Sequence, residues 1–193
     1  MTMFSSKKEL DFYIMADCMM NKGYFRPSLK QRITDFFHPD LIMRYLRLSR
    51  KAAYYKAKGN LRWVYYSWKY QKLGIRLGFS IAYDVFGYGL VIPHHGTIVV
   101  GPKNRIGNYA VLFTSTCITP RPEKSIGDGL YLSTGATITT CEKLGDNVTV
   151  DSNSVVAKSF PEENNILLAG MPARSRNRRN PGTYAMEPCG KVA

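Results

Sequence analysis

The sequence has few of the residues that build metal centres or disulfide frameworks. Its 193 residues include three histidines and four cysteines. The cysteines form no CxxC pair and have no histidine at zinc-site spacing; they are Cys18, Cys117, Cys141 and Cys189. We therefore expect reduced thiols in a cytoplasmic protein, or small residues of the core, and no cysteine nucleophile.

Long apolar runs are absent as well. No stretch of about 18 uninterrupted apolar residues occurs, so the sequence predicts no membrane-spanning helix. The first residues, MTMFSSKKELDF, have no apolar segment after their lysines and predict no secretory signal. The absence of a Walker loop and of a GxGxxG motif argues against a nucleoside triphosphate or a dinucleotide as cofactor.

Acidic residues are scarce outside the centre of the chain. Residues 1–74 carry 15 Lys/Arg and 5 Asp/Glu, residues 75–170 carry 7 and 8, and residues 171–193 carry 5 and 1. The basic charge therefore belongs to the two flanks, whereas the centre is close to neutral. Such an asymmetry fits binding to a nucleic acid, an acidic lipid or a phosphorylated cosubstrate.

The centre of the chain does contain a regular feature, an apolar residue at every sixth position. Two steps are of eight residues (98 to 106 and 118 to 126) and the last is of twelve. This period matches neither a helix nor an alternating strand. It is typical of a parallel β-helix, in which each hexapeptide forms one short strand and one corner. The residues predicted to point inward are Phe86, Ile92, Ile98, Ile106, Leu112, Ile118, Ile126, Leu132, Ile138, Leu144, Val150, Val156 and Leu168.

Residues 1–74 instead predict α-helices. Their start and stop signals are Gly23, Ser28, Pro39-Asp40, Gly59-Asn60 and Gly74. Aromatic residues interleaved with Lys/Arg leave three interpretations open: packing on the β-helix or a neighbouring subunit, peripheral membrane contact through residues 28–74, and nucleic-acid binding. No recognised nucleic-acid motif supports the last, so we expect no nucleic-acid partner.

Two motifs resemble the serine acetyltransferases, namely IPHHGTIVVG at residues 92–101 and LAGMPAR at residues 168–174. The segment GFSI-x-Y-x-VFG-x-GL, after basic helices, is similar to a bacterial branch of that family often found among polysaccharide-biosynthesis enzymes. The resemblance covers about Gly74 to Arg174. It implies a left-handed parallel β-helix at residues 75–174. The helix signals add an α-helical appendage at residues 1–74, and the lack of periodicity after Arg179 predicts a loosely ordered basic tail at residues 175–193. We therefore expect a mainly β protein.

The resemblance also implies a homotrimer that holds acetyl-CoA in a groove between neighbouring coils. Small residues would line the path of the pantetheine arm, and cations would meet the phosphates. The positions that match the groove are Ser133, Thr134, Gly135, Ser152, Gly170 and Ala173. The cations that cluster at this end of the chain are Lys158, Arg174, Arg176, Arg178 and Arg179, of which Arg174 lies in the LAGMPAR motif.

Acetyl transfer to a hydroxyl needs a base, and imidazole has a suitable pKa. His38 precedes a proline at a helix boundary and predicts a cap or surface role. His94 and His95 are adjacent, so they point to opposite sides of an extended backbone, which argues against a shared metal ion. The resemblance places His94 on the family's catalytic histidine and His95 on a position that varies. We expect His95, as the neighbour of the base, to tune it or to contact substrate.

The chain also departs from the family pattern. Pro93 stands where the serine enzymes have an aspartate, and the family's acid fifteen residues before the base falls on Phe79. The second family histidine is absent, and Glu123 stands at about its place. Asp84 and Glu123 are therefore the candidates for orienting the imidazole.

Three interpretations of function follow. The acceptor is L-serine by resemblance, or a sugar of a surface polysaccharide. An alternative of another class is a non-catalytic trimeric scaffold. We expect a cytoplasmic protein, with membrane association left open.

Overall fold

A computed structural model describes residues 4, 6–25 and 28–177. Within that range the chain begins with four α-helices: α1 (Lys7–Lys22), α2 (Leu29–Phe37), α3 (Leu41–Ala57) and α4 (Arg62–Leu77). The signals at Gly23, Ser28 and Asp40 are used as predicted. Ser28 forms a capping box with Gln31, Asp40 caps α3, and Gly23 ends α1 in the left-handed conformation. Helix α4 continues to Leu77, three residues past the predicted boundary at 74.

Short strands then wind into three parallel sheets. Sheet 1 contains β1 (Phe79–Ile81), β2 (Ile98–Val100), β5 (Thr116–Ile118), β8 (Thr137–Ile138) and β11 (Val155–Val156). Sheet 2 contains β3 (Arg105–Ile106), β6 (Ser125–Ile126) and β9 (Lys143–Leu144). Sheet 3 contains β4 (Val111–Leu112), β7 (Tyr131–Leu132), β10 (Thr149–Val150), β12 (Ile166–Gly170) and β13 (Ala173–Asn177). Strand β13 is antiparallel to β12, and it runs three residues past the predicted tail boundary at 174.

The predicted inward residues form the core of this β-helix. All thirteen are buried, and none is more than 4% exposed. The twelve-residue step hides one further core residue, Phe160, which bridges to Leu144 on sheet 2. The repeat was not visible there because Phe160 lies four residues after Val156 rather than six.

One predicted register is wrong. Ile118 pairs with Val100, and Ile98 pairs with Thr116. The six-residue step therefore runs from Val100 to Ile106, and the eight-residue step runs from Ile92 to Val100. Both Ile98 and Val100 point inward because alternate residues of a strand share a face, so an apolar residue at either position satisfied the sequence pattern. The two extra residues consequently lie in the corner that carries the histidines.

The edge where sheet 2 turns into sheet 3 carries a ladder of side-chain acceptors. Asp128 accepts a hydrogen bond from the backbone N–H of Asn108 at 2.8 Å, Asp146 accepts one from Asp128 at 2.8 Å, and Asn164 accepts one from Asp146 at 2.6 Å. A Cβ on Gly107, Gly127 or Gly145 would overlap the acceptor of the next coil. These glycines are therefore required by the ladder.

The helices are joined to the first coil by a buried polar cluster. The Arg50 guanidinium pairs with Asp17 at 2.8 Å, and both side chains are 2% exposed. Arg50 also donates to the carbonyl oxygens of Phe86 and Gly87 at 2.8 and 2.6 Å, while Asp17 accepts the backbone N–H of Leu90 at 3.0 Å. Because the backbone groups of the first coil have no preceding coil to pair with, side chains of α1 and α3 supply partners.

Candidate active site

Most of the predicted site residues fall on one edge of the β-helix, where sheet 3 turns into sheet 1. We call it the 3–1 edge; its corners are residues 93–97, 113–115, 133–136 and 151–154, and the turn between β12 and β13 at residues 170–172 lies next to the last of these as a fifth corner. Neighbouring coils are about 4.8 Å apart. The five corners therefore extend over roughly 19 Å along the axis, which provides a long and narrow surface rather than a closed pocket.

The first corner carries His94 and His95. Both side chains are exposed. Counted between inward residues, the step through this corner has eight residues (92 to 100), whereas the next three steps, 112 to 118, 132 to 138 and 150 to 156, have six. The added length moves the imidazoles away from the coil axis and leaves them accessible to a substrate.

An aromatic wall lies beside His94. Its ring centroid is 6.3 Å from that of Phe113, and Phe113 is 5.4 Å from Tyr131. Both aromatic rings are half-buried. Neither residue was predicted from the sequence, because both flank inward positions of the repeat, where aromatic side chains carry no distinct signal.

The middle corners are built from small residues in tight turns. Gly135 adopts a φ of 76°, and Ser115 and Asn153 adopt φ values of 61° and 55° at the equivalent positions. The Gly135 N–H donates to the Thr114 carbonyl at 3.1 Å, and the Asn153 N–H donates to the Thr134 carbonyl at 3.0 Å. Thr134 and Ser152 are exposed, whereas Ser133 and Gly135 are half-buried. The edge therefore offers backbone and hydroxyl groups without bulky side chains in front of them.

The last corner brings the LAGMPAR residues together. Gly170 is exposed with a φ of 101°, and its N–H donates to the Ser154 hydroxyl at 2.9 Å. Ala173 is buried at the start of β13, while Arg174, opposite Ala169, is exposed. Arg176 is exposed two residues further on; Arg178 and Arg179 lie outside the described residues. Arg174 thus places a cation at the end of the edge remote from His94.

Three predicted site residues lie elsewhere. Asp84, Glu123 and Lys158 all fall where sheet 1 turns into sheet 2, which we call the 1–2 edge. Glu123 pairs with Lys103 at 3.1 Å, and the Lys158 ammonium lies 5.8 Å from the centroid of Phe160. Within one chain Asp84 and Glu123 therefore do not lie beside His94, and Lys158 does not lie with Arg174, because different corners of the triangular coil separate them.

Phe79 stands at the position of the family's usual acid, and its side chain has no polar group. Phe79 is buried against Tyr45, with ring centroids 5.1 Å apart. Tyr45 donates to the hydroxyl of Tyr70 at 2.6 Å, and Tyr70 donates to the Ile81 carbonyl at 2.6 Å. Burial raises the pKa of both phenols above their ordinary range. The helices thus pack on β1 through a neutral aromatic cluster.

Solved structures show what this architecture is similar to. Neisseria gonorrhoeae serine acetyltransferase matches with 18% identity and a TM-score of 0.67, over 90% of this chain and 68% of that one. Soybean serine acetyltransferase complexed with serine matches with 21% identity and a TM-score of 0.68, over 90% and 72% of the two chains. A serine acetyltransferase in complex with CoA matches with 18% identity and a TM-score of 0.66, over 88% and 70%.

These likenesses establish the class of fold. The chain is a left-handed parallel β-helix of the hexapeptide-repeat type, and the match extends over its helical region as well. Among proteins of that class, it has the fold of the serine acetyltransferases, which confirms the architecture predicted from the repeat and the two motifs. No protein-family model matches the chain, and no curated protein matches it in sequence.

Proposed function

We propose that the protein is an acetyl-CoA-dependent O-acetyltransferase in which His94 is the general base. The observation that carries the proposal is the 3–1 edge. One exposed histidine pair stands at its first corner, small residues follow, and an exposed arginine stands at its last corner. Serine acetyltransferases with the same fold have been solved with serine and with CoA.

In the proposed reaction, one proton moves from the acceptor to His94 and then to the leaving group. The imidazole of His94 accepts the proton of the acceptor hydroxyl as that oxygen attacks the thioester carbonyl of acetyl-CoA. The tetrahedral intermediate then expels the CoA thiolate, which takes the proton back from the imidazolium. The acceptor leaves as its acetyl ester, and CoA leaves as the free thiol.

The CoA moiety would lie along the 3–1 edge with its thioester beside His94. The exposed hydroxyl of Thr134 and that of Ser152 can contact the pantetheine arm, and Arg174 can pair with a phosphate. His95 would contact the acceptor from the other side of the same corner. Phe113 would cover the reacting atoms with an apolar surface.

Asp84, Glu123 and Lys158 can take part only from a neighbouring subunit. In a homotrimer with heterologous contacts, each interface joins two different surfaces, one from each of two neighbouring chains. We infer a trimer in which the 1–2 edge of one chain faces the 3–1 edge of its neighbour. Glu123 or Asp84 would then orient the imidazole of His94 across the interface, and Lys158 would meet a CoA phosphate.

The proposed acceptor is L-serine, and a panel of acceptors tests it. Turnover of acetyl-CoA is followed by release of free thiol, with L-serine and with sugars of surface polysaccharides. We expect turnover by the unaltered chain and a loss of 100-fold or more in His94→Ala, as removal of a general base costs about 10² to 10⁴. His95→Ala is the matched control, for which we expect an effect on KM rather than on kcat. Unchanged turnover in His94→Ala would contradict the proposed base.

A sugar is the second candidate acceptor. The observation that favours it is the exposed basic and aromatic face of α4, because lipid-linked sugars are presented at a membrane. Turnover with a sugar and none with serine would assign the protein to polysaccharide modification. CoA binding without turnover by any acceptor would point to an acceptor outside the panel, whereas failure to bind CoA would favour the scaffold interpretation.

A further inference from the structure

Helix α4 has an apolar outer face that the core does not use. Its inner face, formed by Tyr70, Leu73, Gly74 and Leu77, is buried. On the opposite side five apolar side chains are each at least half exposed: Leu61 81%, Val64 51%, Tyr65 51%, Trp68 50% and Ile75 81%. Spacings of three, four and seven residues place them on one stripe of the helix. We call these five residues the α4 stripe.

Cations border this stripe. Lys69 lies 4.4 Å from the ring centroid of Tyr65, and Lys72 lies 4.2 Å from that of Trp68. Arg62 lies seven residues before Lys69, and Arg76 lies four residues after Lys72. Both arginines therefore fall on the same flank of the helix as the two lysines. Aliphatic stems of such residues cover apolar surface while their charged ends remain in a polar medium.

The surrounding chain contains no acidic residue that would neutralise these charges. Between Asp40 and Asp84 there are ten Lys/Arg and no Asp or Glu. One of the ten, Arg50, forms the buried pair with Asp17. The face around α4 is therefore both apolar and strongly positive.

We propose that the α4 stripe and its cations bind the surface of an anionic membrane. Tyr and Trp side chains favour the depth of the lipid headgroups, and Lys and Arg pair with anionic headgroups above them. Among the described residues no helix is long and apolar enough to cross a bilayer. The helix thus lies in the interface plane with its inner face still packed on the protein.

Charge argues against a symmetric contact between two copies as the occupant. A second copy bound through the same face would bring the same positive charges, so the contact would join like charges. Lysine is also depleted at the centre of protein interfaces, whereas Lys72 projects next to Trp68 here. An anionic lipid surface matches both the sign of the charge and the exposed aromatic residues.

The chain provides its own optical probe. It contains two tryptophans, Trp63 and Trp68, so Trp63→Phe leaves Trp68 alone on the stripe. Its fluorescence is measured with vesicles of phosphatidylcholine containing roughly 30% phosphatidylglycerol, and with vesicles of phosphatidylcholine alone. We expect a blue shift and quenching by brominated lipid with the anionic vesicles only. About 0.5 M salt should reverse both effects, because it screens the headgroup charge.

Two matched triple variants locate the binding surface. Lys69→Gln/Lys72→Gln/Arg76→Gln removes three cations beside the stripe, and Lys7→Gln/Lys8→Gln/Lys30→Gln removes the same charge elsewhere. Each cation near an anionic surface contributes about five-fold to partitioning. We therefore expect roughly 100-fold weaker vesicle sedimentation for the first variant. The two variants have the same net charge. If vesicle binding depended only on the net charge of the protein, both variants would lose affinity equally.

Three outcomes would overturn the proposal. The first is an unchanged Trp68 emission with anionic vesicles. The second is equal loss of sedimentation in the two triple variants. The third combines two results: the unaltered chain does not bind vesicles, and Trp68→Ser has a lower mass in solution than the unaltered chain. Together they would identify the stripe as a contact between copies. Thermal unfolding of each variant checks that α4 remains packed, and these readouts do not depend on acetyl transfer.

Discussion

Single side chains of this protein hold elements together where the backbone cannot. Asp40 is an example. Its carboxylate accepts the N–H of Met43 at 2.9 Å, which caps α3, and it forms an ion pair with Lys22 at the end of α1. Burial acts to raise the pKa of Asp40, but the hydrogen bonds from Lys22 and Met43 outweigh it and hold that pKa below its ordinary value of 3.8. The charged form is therefore the one that the fold favours.

This lowered pKa makes part of the stability depend on pH. The contribution of Asp40 is present above pH 3.8 and is lost as the pH falls through the lower pKa of the folded state. We expect Asp40→Asn to reduce the free energy of unfolding at pH 7, and the difference from the unaltered chain to shrink below about pH 4. Urea unfolding at both pH values measures this, with the exposed Asp11→Asn as control. A difference that stays constant down to pH 3 would contradict the assignment.

At the scale of elements, strands of two or three residues persist because the corners between them are also hydrogen-bonded. The ladder on the 2–3 edge, where sheet 2 turns into sheet 3, gives each corner an acceptor from the next coil. Asp128 sits in the middle of this ladder, accepting from Asn108 while its own N–H donates to Asp146. The ladder connects coils at a point where the sheets themselves are interrupted.

Removal of one acceptor should therefore weaken the corner. We expect Asp128→Ala to lower the free energy of unfolding by about 1 kcal/mol, since the exposed N–H of Asn108 can partly turn to water. Asp128→Asn retains an oxygen acceptor and removes one of two stacked carboxylates, so it should retain most of the stability. Chemical denaturation compares the two. Equal losses would show that charge, rather than the acceptor, stabilises this corner.

At the scale of the whole molecule, helices and coils share one core. Buried residues of α3 and α4 belong to the same hydrophobic cluster as the last coil at Leu168 and Ala173. The pair of Asp17 and Arg50 adds a polar connection at the first coil. The helical region is therefore part of the cooperative unit and not a separately folding appendage.

Breaking that polar connection should destabilise the entire chain. Asp17→Ala leaves the buried Arg50 charge without its partner, which costs about 3–5 kcal/mol and lowers Tm by about 10 °C for a chain of this size. Helical circular dichroism and tyrosine fluorescence should report the same transition. The double variant Asp17→Leu/Arg50→Met buries no charge and should lose less. Two separate transitions in Asp17→Ala would contradict a single cooperative unit.

The proposed trimer makes a prediction at the same scale. His94→Ala alters the 3–1 edge, and Glu123→Gln/Lys158→Ala alters the 1–2 edge. If each site joins these edges from two chains, unfolding and refolding an equal mixture of the two inactive variants restores about a quarter of the sites. Thiol release measures the recovery. Full activity of the 1–2 edge variant alone would exclude a contribution of that edge.

The six-residue repeat and the capping residues by themselves determined the β-helix and the helix boundaries to within a few residues. Both depend on local spacing, since an inward residue recurs with each face of a coil and a cap acts within one turn. The sequence also singled out His94 and the small residues that follow it, through two motifs.

Only the tertiary structure decided which corner is long. Corners that are neighbours in space are 16 to 20 residues apart along the chain, so a shift of two residues at Val100 changes which corner is long without disturbing the apolar pattern. That shift gave the histidines the long corner, whereas Asp84, Glu123 and Lys158 lie on the 1–2 edge in either register. The outer face of α4 was likewise ambiguous in sequence, because a helix shows which residues share a side but not which side the core covers.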